Sequence, residues 1–99
     1  MIARILTPAE QELEEAADYY DAQRDGLGTE FLIDFRRALD LVLRWPDAWS
    51  RVARTKSARR IQLDRFPYRL IYQVLNNEIL VIAIAHTKRR ATYWRSRLQ

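Results

Sequence analysis

The amino-acid sequence predicts an α+β fold, in which an N-terminal strand and a two-helix antiparallel hairpin pack with a mainly antiparallel sheet of about four strands, followed by a basic C-terminal tail. Two observations predict this fold. Apolar residues recur at helical spacing in the first half of the chain, and they alternate with polar residues, as in a strand, in the second half. Because 99 residues suffice for one modest core, residues 1–99 are expected to form a single domain.

The second half of the chain contains most of the predicted sheet. The segment Arg59–His86 is predicted to form three consecutive strands joined by two tight turns. Pro67–Val74 alternates between two faces, and Ile79–Ala85 is apolar on both faces, as is typical of a strand inside a sheet. The residues between them, Asn76-Asn77, suit a two-residue hairpin turn because asparagine tolerates positive φ.

The Asn-Asn turn sets a register for this hairpin. Val74 is expected to face Ile79, and Arg69 is expected to face Ile84. His86 then lies on the same sheet face as Arg69, diagonal to it at roughly 7–8 Å.

An earlier turn at Asp64-Arg65 places Arg60 directly opposite Arg69 on one sheet face. Two adjacent arginines repel each other and add no stability to a sheet. Their position therefore favours a surface that meets an anionic partner. A solvent-exposed face without a partner is the alternative interpretation.

The first helix is predicted to begin directly after an apolar strand at Met1–Leu6. Thr7 is expected to cap it, with Pro8 at the first helical position and Glu10 completing a capping box. One stripe is apolar at helical spacing. It consists of Leu13, Ala16, Ala17 and Tyr20. The remaining surface is acidic, which indicates a solvated helix face or, alternatively, paired catalytic carboxylates. Its acids are Glu12, Glu14, Glu15, Asp18 and Asp21.

The sequence Asp25–Gly28 is expected to end the first helix, because it contains both glycines of the chain. A second helix follows and ends at Trp45-Pro46, since the residue before proline disfavours helical geometry. Its apolar positions are Phe31, Leu32, Phe35, Ala38, Leu39, Val42 and Leu43. Asp47–Ser57 is then predicted to form a loop or an irregular edge strand.

Composition excludes several classes of function. Without cysteine, the chain has neither a disulfide framework nor a thiolate metal site, and one histidine argues against a zinc site rich in histidine. No phosphate loop, dinucleotide fingerprint or HExxH motif is present, so no metal or cofactor is predicted. No apolar run reaches the roughly 18 residues that span a bilayer, and no signal peptide is apparent, so the predicted location is the cytoplasm.

Charge is divided sharply along the chain. Residues 1–50 contain five Lys/Arg and eleven Asp/Glu, which gives a net charge of −6. Residues 51–99 contain twelve Lys/Arg and two Asp/Glu, which gives a net charge of +10. A solvated face explains any single basic residue, but a half-chain at this charge indicates an anionic partner, either a nucleic acid or an acidic protein.

The residues that could carry chemistry are basic and aromatic. A metal-independent ribonuclease needs proton-transfer groups and cations that stabilise the pentacoordinate phosphate. The candidates for those roles are Arg60, Arg69, His86 and Lys88. The structural alternatives stay open at this point: His86 can be a hydrogen-bonded structural histidine, and Tyr93 and Trp94 can pack on the sheet edge instead of stacking on a base.

The order of these elements, together with three segments, resembles the RelE/ParE superfamily of bacterial toxins, the toxic components of type II toxin–antitoxin pairs. The segments are EAADYYDAQRDGLG, ARRIQLDRFPYRLIYQV and EILVIAIAHTKRRATYW, so the resemblance covers essentially the whole chain. It implies a helical hairpin packed on a mainly antiparallel sheet, in agreement with the prediction from the residues.

Two activities occur in this superfamily. RelE-like members cleave mRNA in the ribosomal A site without a metal, whereas ParE-like members lack that residue set and poison DNA gyrase. The acidic first helix, the FPY turn and the strand ending at His86 resemble the ParE-like or plasmid-stabilisation branch more closely, which implies a gyrase inhibitor. A ribosome-dependent mRNA endoribonuclease and an inactive or plain nucleic-acid-binding module are the alternatives.

Only part of the RelE nuclease set has a counterpart here. Arg69 matches the phosphate-stabilising arginine, and Arg60 matches one of two basic residues on the preceding strand, the other position being glutamine. Lys88 stands near a second required arginine, and Tyr93 or Trp94 falls where RelE has its C-terminal tyrosine.

The resemblance also implies a cognate antitoxin, whose acidic, disordered C-terminal segment folds as it wraps around the toxin to form a hetero-oligomer. It implies no cofactor and no membrane partner. The candidate residues for binding the antitoxin or the target are basic or aromatic. They are Arg59, Arg60, Arg69, Lys88, Arg89, Arg90, Tyr93 and Trp94.

Overall fold

Two helices pack on one face of a five-stranded sheet in the computed structural model, which describes residues 1–55, 57–90 and 92–99. The elements, in chain order, are β1 (Ile2–Ile5), α1 (Thr7–Gln23), α2 (Leu27–Arg44), β2 (Ser50–Arg51), β3 (Arg59–Gln62), β4 (Tyr68–Leu75), β5 (Glu78–His86) and a short 3₁₀ helix (Arg95–Arg97). Within these ranges, no helix is long and apolar enough to cross a membrane.

The strand order in the sheet is β1-β5-β4-β3-β2, with β1 parallel to β5 and the other pairs antiparallel. The predicted α+β class and mainly antiparallel sheet are confirmed. The sheet has five strands instead of about four, because the segment after α2 contributes the two-residue edge strand β2.

The β4–β5 hairpin has the predicted turn. Asn76 and Asn77 both have positive φ, at 50° and 62°, and Val74 faces Ile79 as expected. The register holds as far as Tyr72 and then shifts at a β-bulge, because the chain of β5 contains one extra residue there.

The bulge changes which residues share a face. Arg69 lies opposite Ala85 and not Ile84, and His86 lies opposite Tyr68. The prediction that His86 shares a face with Arg69 was therefore wrong, since side chains alternate along a strand and one extra residue reverses their faces.

The β3–β4 connection also differs from the prediction. Five residues, 63–67, separate the strands, and the backbone N–H of Leu63 donates to the carbonyl of Tyr68 over 2.9 Å. Arg60 consequently pairs with Ile71, two positions from Arg69, so that the two arginines are diagonal neighbours on one face and not directly opposite.

A buried carboxylate on α2 organises this loop. Asp34 is 1% exposed, and its Oδ2 accepts hydrogen bonds from the backbone N–H groups of Arg65 at 2.9 Å and Phe66 at 3.2 Å. A two-residue turn would leave no such pair of donors facing α2. The longer loop is thus a consequence of a contact between residues that are far apart in sequence.

Helix α1 begins without the predicted capping box. Leu6 occupies the N-cap position and no side chain caps the helix, so Thr7 already lies within its first turn. The backbone N–H of Leu6 donates to the carbonyl of Val81, which continues the β1 pairing up to the residue that starts the helix. Because Leu6 both continues the pairing with β5 and occupies the N-cap position, the N-cap residue has an apolar side chain that cannot accept a hydrogen bond.

The predicted helical stripes form the core between the hairpin and the sheet. Ala16, Ala17, Phe31 and Phe35 are buried, whereas Leu32, predicted to join the stripe, is 41% exposed. Four aromatic side chains from α1, α2 and the sheet meet mostly edge to face in this core, with ring centroids 4.8–6.2 Å apart. They are Tyr20, Phe31, Phe66 and Tyr68.

Gly28 allows the two helices to approach closely. It lies inside α2, and a Cβ at this position would collide with the carbonyl oxygen of Ala17 and with the side chain of Asp21. The Asp21 carboxylate accepts a hydrogen bond from the Gly28 backbone N–H at 2.7 Å. Gly26, which has a φ of 87°, makes the turn between the helices.

The buried Tyr72 ties the end of α2 to the sheet. Its hydroxyl donates to the carbonyl of Pro46 over 2.6 Å, and burial raises the pKa of Tyr72 to about 12. The hydroxyl therefore stays protonated, and able to donate, through the physiological range.

The C-terminal segment covers the second face of the sheet. Trp94 is 1% exposed and packs with Ile71, Ile82, Ala83 and other buried residues of that face. Trp94 thus packs on the sheet, as the structural alternative expected, but on the face of the inner strands β4 and β5 and not at the edge. The tail is in this respect part of the fold and not a free appendage.

An ion pair fastens this segment where β1 ends. Arg97 donates from Nη1 and Nη2 to the two oxygens of Glu12 at 2.9 and 3.2 Å, and from Nη1 to the carbonyl of Ile82 at 3.2 Å. The Glu12 carboxylate also accepts the backbone N–H of Ile84 at 3.1 Å. Glu12 is therefore not part of a solvated helix face. Together with Arg97 it binds the Ile84 N–H and the Ile82 carbonyl, two backbone groups of β5 that lie beyond the end of β1.

Replacing Asp34 with alanine should lower the free energy of unfolding by about 2–3 kcal/mol, because two buried backbone donors lose a charged acceptor. Urea unfolding followed by tryptophan fluorescence measures this loss. The matched control is Asp40→Ala on the same helix, where an exposed ion pair to Arg36 contributes about 0.5 kcal/mol or less. Equal losses in the two variants would contradict the role assigned to Asp34.

Replacing Arg97 with glutamine should also destabilise the protein, by about 2 kcal/mol, since Glu12 and the Ile82 carbonyl lose a partly buried charged donor. Hydrogen exchange at the amide of Ile84 should accelerate in the same variant. Arg90→Gln is the control, because this exposed side chain contacts no acid in the described residues and its replacement should change stability by about 0.5 kcal/mol or less. An unchanged exchange rate at Ile84 would contradict the proposal that Glu12 and Arg97 protect this edge of β5.

Candidate functional site

Arg60 and Arg69 meet on the face of the sheet that the helices leave open. Their diagonal positions on β3 and β4 place the Cβ atoms roughly 7–8 Å apart. Both side chains line a groove of about 350 Å³ together with Trp49, Ser50 and Gln62. The sequence prediction that these two arginines share a face is confirmed, although their register was not.

Two further arginines extend this cluster. Arg89 and Arg90, which follow β5, border a small pocket with Arg60 and Arg69 above an apolar floor. The floor residues are Val52, Ile71, Ala85 and Trp94. We call the four arginines the arginine face.

Within the described residues the arginine face forms no ion pair, although Arg89 also borders a second pocket with Glu12 and Glu15. In residues 1–55, 57–90 and 92–99, none of its four guanidinium groups makes an ion pair or a side-chain hydrogen bond. The ion pairs of this part of the chain lie elsewhere. They are Arg4–Glu78, Arg24–Glu30, Arg36–Asp40, Arg65–Glu30 and Arg97–Glu12. Guanidinium groups bind carboxylates and phosphates bidentately, so this surface is suited to an anionic ligand.

His86 lies away from this cluster. Its ring packs edge to face on Tyr68 at 5.0 Å, on the helix side of the sheet, and its Nδ1 accepts the backbone N–H of Lys88 at 3.1 Å. The neutral ring therefore carries its proton on Nε2. Although His86 borders the small pocket through the end of β5, its imidazole belongs to the opposite sheet face from Arg69. Lys88 is exposed in the turn that follows.

The predicted aromatic residues are engaged within the protein. The ring of Tyr93 lies between the guanidinium carbons of Arg89 at 3.8 Å and Arg97 at 5.2 Å. Burial, and then the neighbouring Glu12 carboxylate, raise the pKa of Tyr93. Trp94 is buried, so neither ring is presented for stacking on a base.

Arg59 takes no part in the arginine face. It pairs with Tyr72 and so points to the helix side of the sheet, where its Nη1 donates to the carbonyl of Trp49 over 2.7 Å. Its neighbour in sequence, Arg60, points the opposite way. Arg59 therefore has a structural contact, a hydrogen bond to the residue that immediately precedes β2.

A second concave surface lies between α2 and β3, and sequence reasoning missed it. This α2–β3 groove has a volume of about 470 Å³. Its lining combines apolar and charged residues: Asp34, Arg37, Ala38, Leu41, Trp49, Ile61, Gln62, Leu63 and Asp64. A signal was present, because Asp34 interrupts the apolar stripe of α2 between Phe31 and Ala38 with an acid.

The chemistry available at the arginine face is anion binding. Among the residues that the structure describes, no group of three His, Cys, Asp or Glu side chains is arranged to hold a metal ion. Among the described residues, no proton-transfer side chain is hydrogen-bonded to Arg60 or Arg69: the imidazole of His86, which borders the same small pocket, packs on the other face of the sheet, and Tyr93 is enclosed by two arginines.

Comparison with solved structures shows the same fold in two toxins. A chain from the chromosomal ParDE toxin–antitoxin system of P. aeruginosa superposes with a TM-score of 0.79 at 17% identity, covering 89% of this chain and 97% of that one. The isolated RelE toxin of E. coli superposes with a TM-score of 0.66 at 21% identity, covering 96% of this chain and 93% of that one. At these identities the likeness establishes the fold.

Sequence comparison gives the family. No protein of curated function matches the chain. The family model described as ParE toxin of type II toxin-antitoxin system, parDE, matches residues 3–91. Since this match spans most of β1, the helical hairpin, the other four strands and all of the arginine face, the chain belongs to the ParE toxin family of type II toxin–antitoxin systems, which implies a cognate antitoxin as its partner.

Proposed function

We propose that this toxin acts as a ParE-like inhibitor of DNA gyrase and that a cognate antitoxin neutralises it. The observation that carries the proposal is the separation of the arginine pair from His86. An RNA-cleaving site needs a proton-transfer group within hydrogen-bond reach of the reacting hydroxyl. The imidazole of His86 instead lies on the other sheet face, against Tyr68. Binding a macromolecular target requires no such group.

A RelE-like endoribonuclease is the second candidate, and one observation favours it. Arg60 and Arg69 are adjacent, unpaired and directed into one groove, as two cations that stabilise a phosphate would be. The catalytic set would then be Arg60, Arg69, His86 and Lys88. This set would require His86 to reach around the end of β5 to the arginine face.

The arginine face also supplies a surface for the antitoxin. An acidic segment that contacts Arg60, Arg69, Arg89 and Arg90 would replace water around four charges that form no ion pair within the described residues. Electrostatic complementarity of this kind accelerates association and aligns the partner. The same contact would cover the surface that meets the target, so that one binding event would neutralise the toxin.

Purified, antitoxin-free protein should abolish DNA supercoiling by gyrase or cause double-strand breaks to accumulate. The variant His86→Gln should keep this activity, because a gyrase inhibitor does not use the imidazole for proton transfer. Agarose-gel assays of supercoiling and cleavage measure both. If gyrase is unaffected while mRNA is cut in a translating lysate, and His86→Gln abolishes the cutting, the endoribonuclease is the correct function.

Reversing the charge at Arg69 and Arg89 together should weaken antitoxin binding by at least about tenfold, since two charge-assisted contacts become repulsive. The control Arg36→Glu/Arg44→Glu changes the net charge equally but alters exposed residues of α2. Isothermal titration calorimetry at two salt concentrations measures the affinities. Equal weakening by the two double variants would show that net charge, and not the arginine face, governs the association.

A further inference from the structure

Ser50 places a hydroxyl group directly beside the arginine face. It lies in the two-residue strand β2, where it pairs with Arg60 across the ladder to β3. Because directly paired residues of an antiparallel ladder point to the same side of the sheet, Ser50 shares the open face with Arg60. The Ser50 side chain accordingly lines the groove of about 350 Å³ that contains Arg60 and Arg69.

The two arginines lie on successive strands next to this hydroxyl. Arg60 is one strand away from Ser50, and Arg69, its diagonal neighbour on β4, is two strands away. Strands in a sheet are about 4.7–4.9 Å apart, so that Arg69 starts roughly 10 Å from Ser50. Arginine has a long side chain, and both guanidinium groups can therefore converge on a group attached to the Ser50 oxygen.

Other hydroxyls of this region are already used in the fold. The Thr55 hydroxyl donates to the Val52 carbonyl at 2.9 Å, and the Ser57 hydroxyl accepts from the Gln73 amide at 2.6 Å. Ser50, in contrast, is exposed, and its hydroxyl makes no hydrogen bond with the residues that the structure describes. Its oxygen is therefore available for chemistry at no cost to the fold.

The backbone around Ser50 is accessible to a modifying enzyme. Strand β2 is the last strand of the sheet, and in the described chain it has a neighbour, β3, on one side only. Both of its residues are exposed. An extended edge segment of this kind presents its backbone groups and side chains to another protein without any unfolding of the sheet.

A phosphoryl group on Ser50 would meet complementary charge. Phosphoserine carries a charge of about −1.5 to −2 at pH 7 and three strong acceptor oxygens. Arg60 and Arg69 form no ion pair within the described residues, and guanidinium groups bind phosphate oxygens bidentately. Opposite such a cluster, a phosphoryl group forms about one to three charge-assisted hydrogen bonds.

We propose that Ser50 is a phosphorylation site and that Arg60 and Arg69 bind the added phosphoryl group, so that the modification neutralises the arginine face without the antitoxin. The phosphoryl donor is ATP, bound by a protein kinase. The Ser50 oxygen forms a bond to the γ-phosphorus, and the bond from this phosphorus to the β,γ-bridging oxygen breaks. ADP leaves, and the hydroxyl proton passes to a base of the kinase. The inference rests on the proposed role of the arginine face in meeting the antitoxin and the target.

The contact is tested in full-length toxin that carries a genetically encoded phosphoserine at position 50. Two nearby guanidinium groups favour the dianion, so the second pKa of this phosphoserine should be lower by at least about 0.5 than in the variant Arg60→Gln/Arg69→Gln. Phosphorus-31 NMR over a pH titration measures both values. The control Arg36→Gln/Arg44→Gln removes the same charge from α2 and should leave the pKa unchanged. Equal pKa values in all three proteins would overturn the proposed contact.

The modification itself is tested with an extract of the cells that encode the toxin and with ATP labelled at the γ-phosphate. The purified toxin should take up the label, and Ser50→Ala should not. The control Ser96→Ala also removes an exposed hydroxyl and should be labelled as strongly as the wild type. An unchanged thermal midpoint of Ser50→Ala verifies its fold. An unlabelled wild type, or equal labelling of Ser50→Ala, would overturn the phosphorylation site.

Phosphorylation at Ser50 should weaken antitoxin binding by at least about tenfold, because the acidic segment loses two charge-assisted contacts and meets a like charge. Isothermal titration calorimetry with the phosphorylated and the unmodified toxin measures this loss. Undiminished affinity would overturn the neutralisation of the arginine face. These results are separable from the proposed function: an unmodified toxin without effect on gyrase would refute gyrase inhibition, whereas the NMR and labelling results decide the phosphorylation site in either case.

Discussion

The burial of β5 on both faces is the constraint on which the rest of the structure depends. Its residues Ile79–Ala85 are apolar throughout, and all are buried. One cover, the α1–α2 hairpin, is predictable from its amphipathic pattern. The other cover is the C-terminal segment, which brings Trp94 onto the second face and uses Arg97 with Glu12 to complete the edge of β5. Basic residues that would suit a flexible binding tail thus hold the fold together.

The single bulge between β4 and β5 has the largest consequence for function. An uninterrupted ladder would place His86 and Arg69 on one face, next to Arg60, and would assemble three groups suited to RNA cleavage. The extra residue moves the imidazole to the helix side, where it packs on Tyr68. The imidazole and the arginine pair are thereby directed to opposite faces of the sheet, although His86 still borders the small pocket at the end of β5. This separation favours a binding role for the arginine face.

The positive charge of the second half is divided between structure and recognition. Arg59, Arg65, Arg95 and Arg97 donate to carbonyl groups or carboxylates within the chain. The arginine face, in contrast, forms no ion pair within the described residues and surrounds an apolar floor, so its charges are available to an anionic partner.

The sequence by itself determined the fold class, the order of the elements, the Asn76-Asn77 turn and the superfamily. These follow from local periodicity and short motifs, in which each residue acts through its near neighbours. The tertiary structure alone decided which face His86 occupies, how long the β3–β4 loop is, and where Glu12, Asp34 and Arg97 act. A bulge shifts every later residue of its strand, and the loop depends on a carboxylate some thirty residues earlier in the chain. Such effects come from contacts between distant segments, which no local pattern in the sequence encodes.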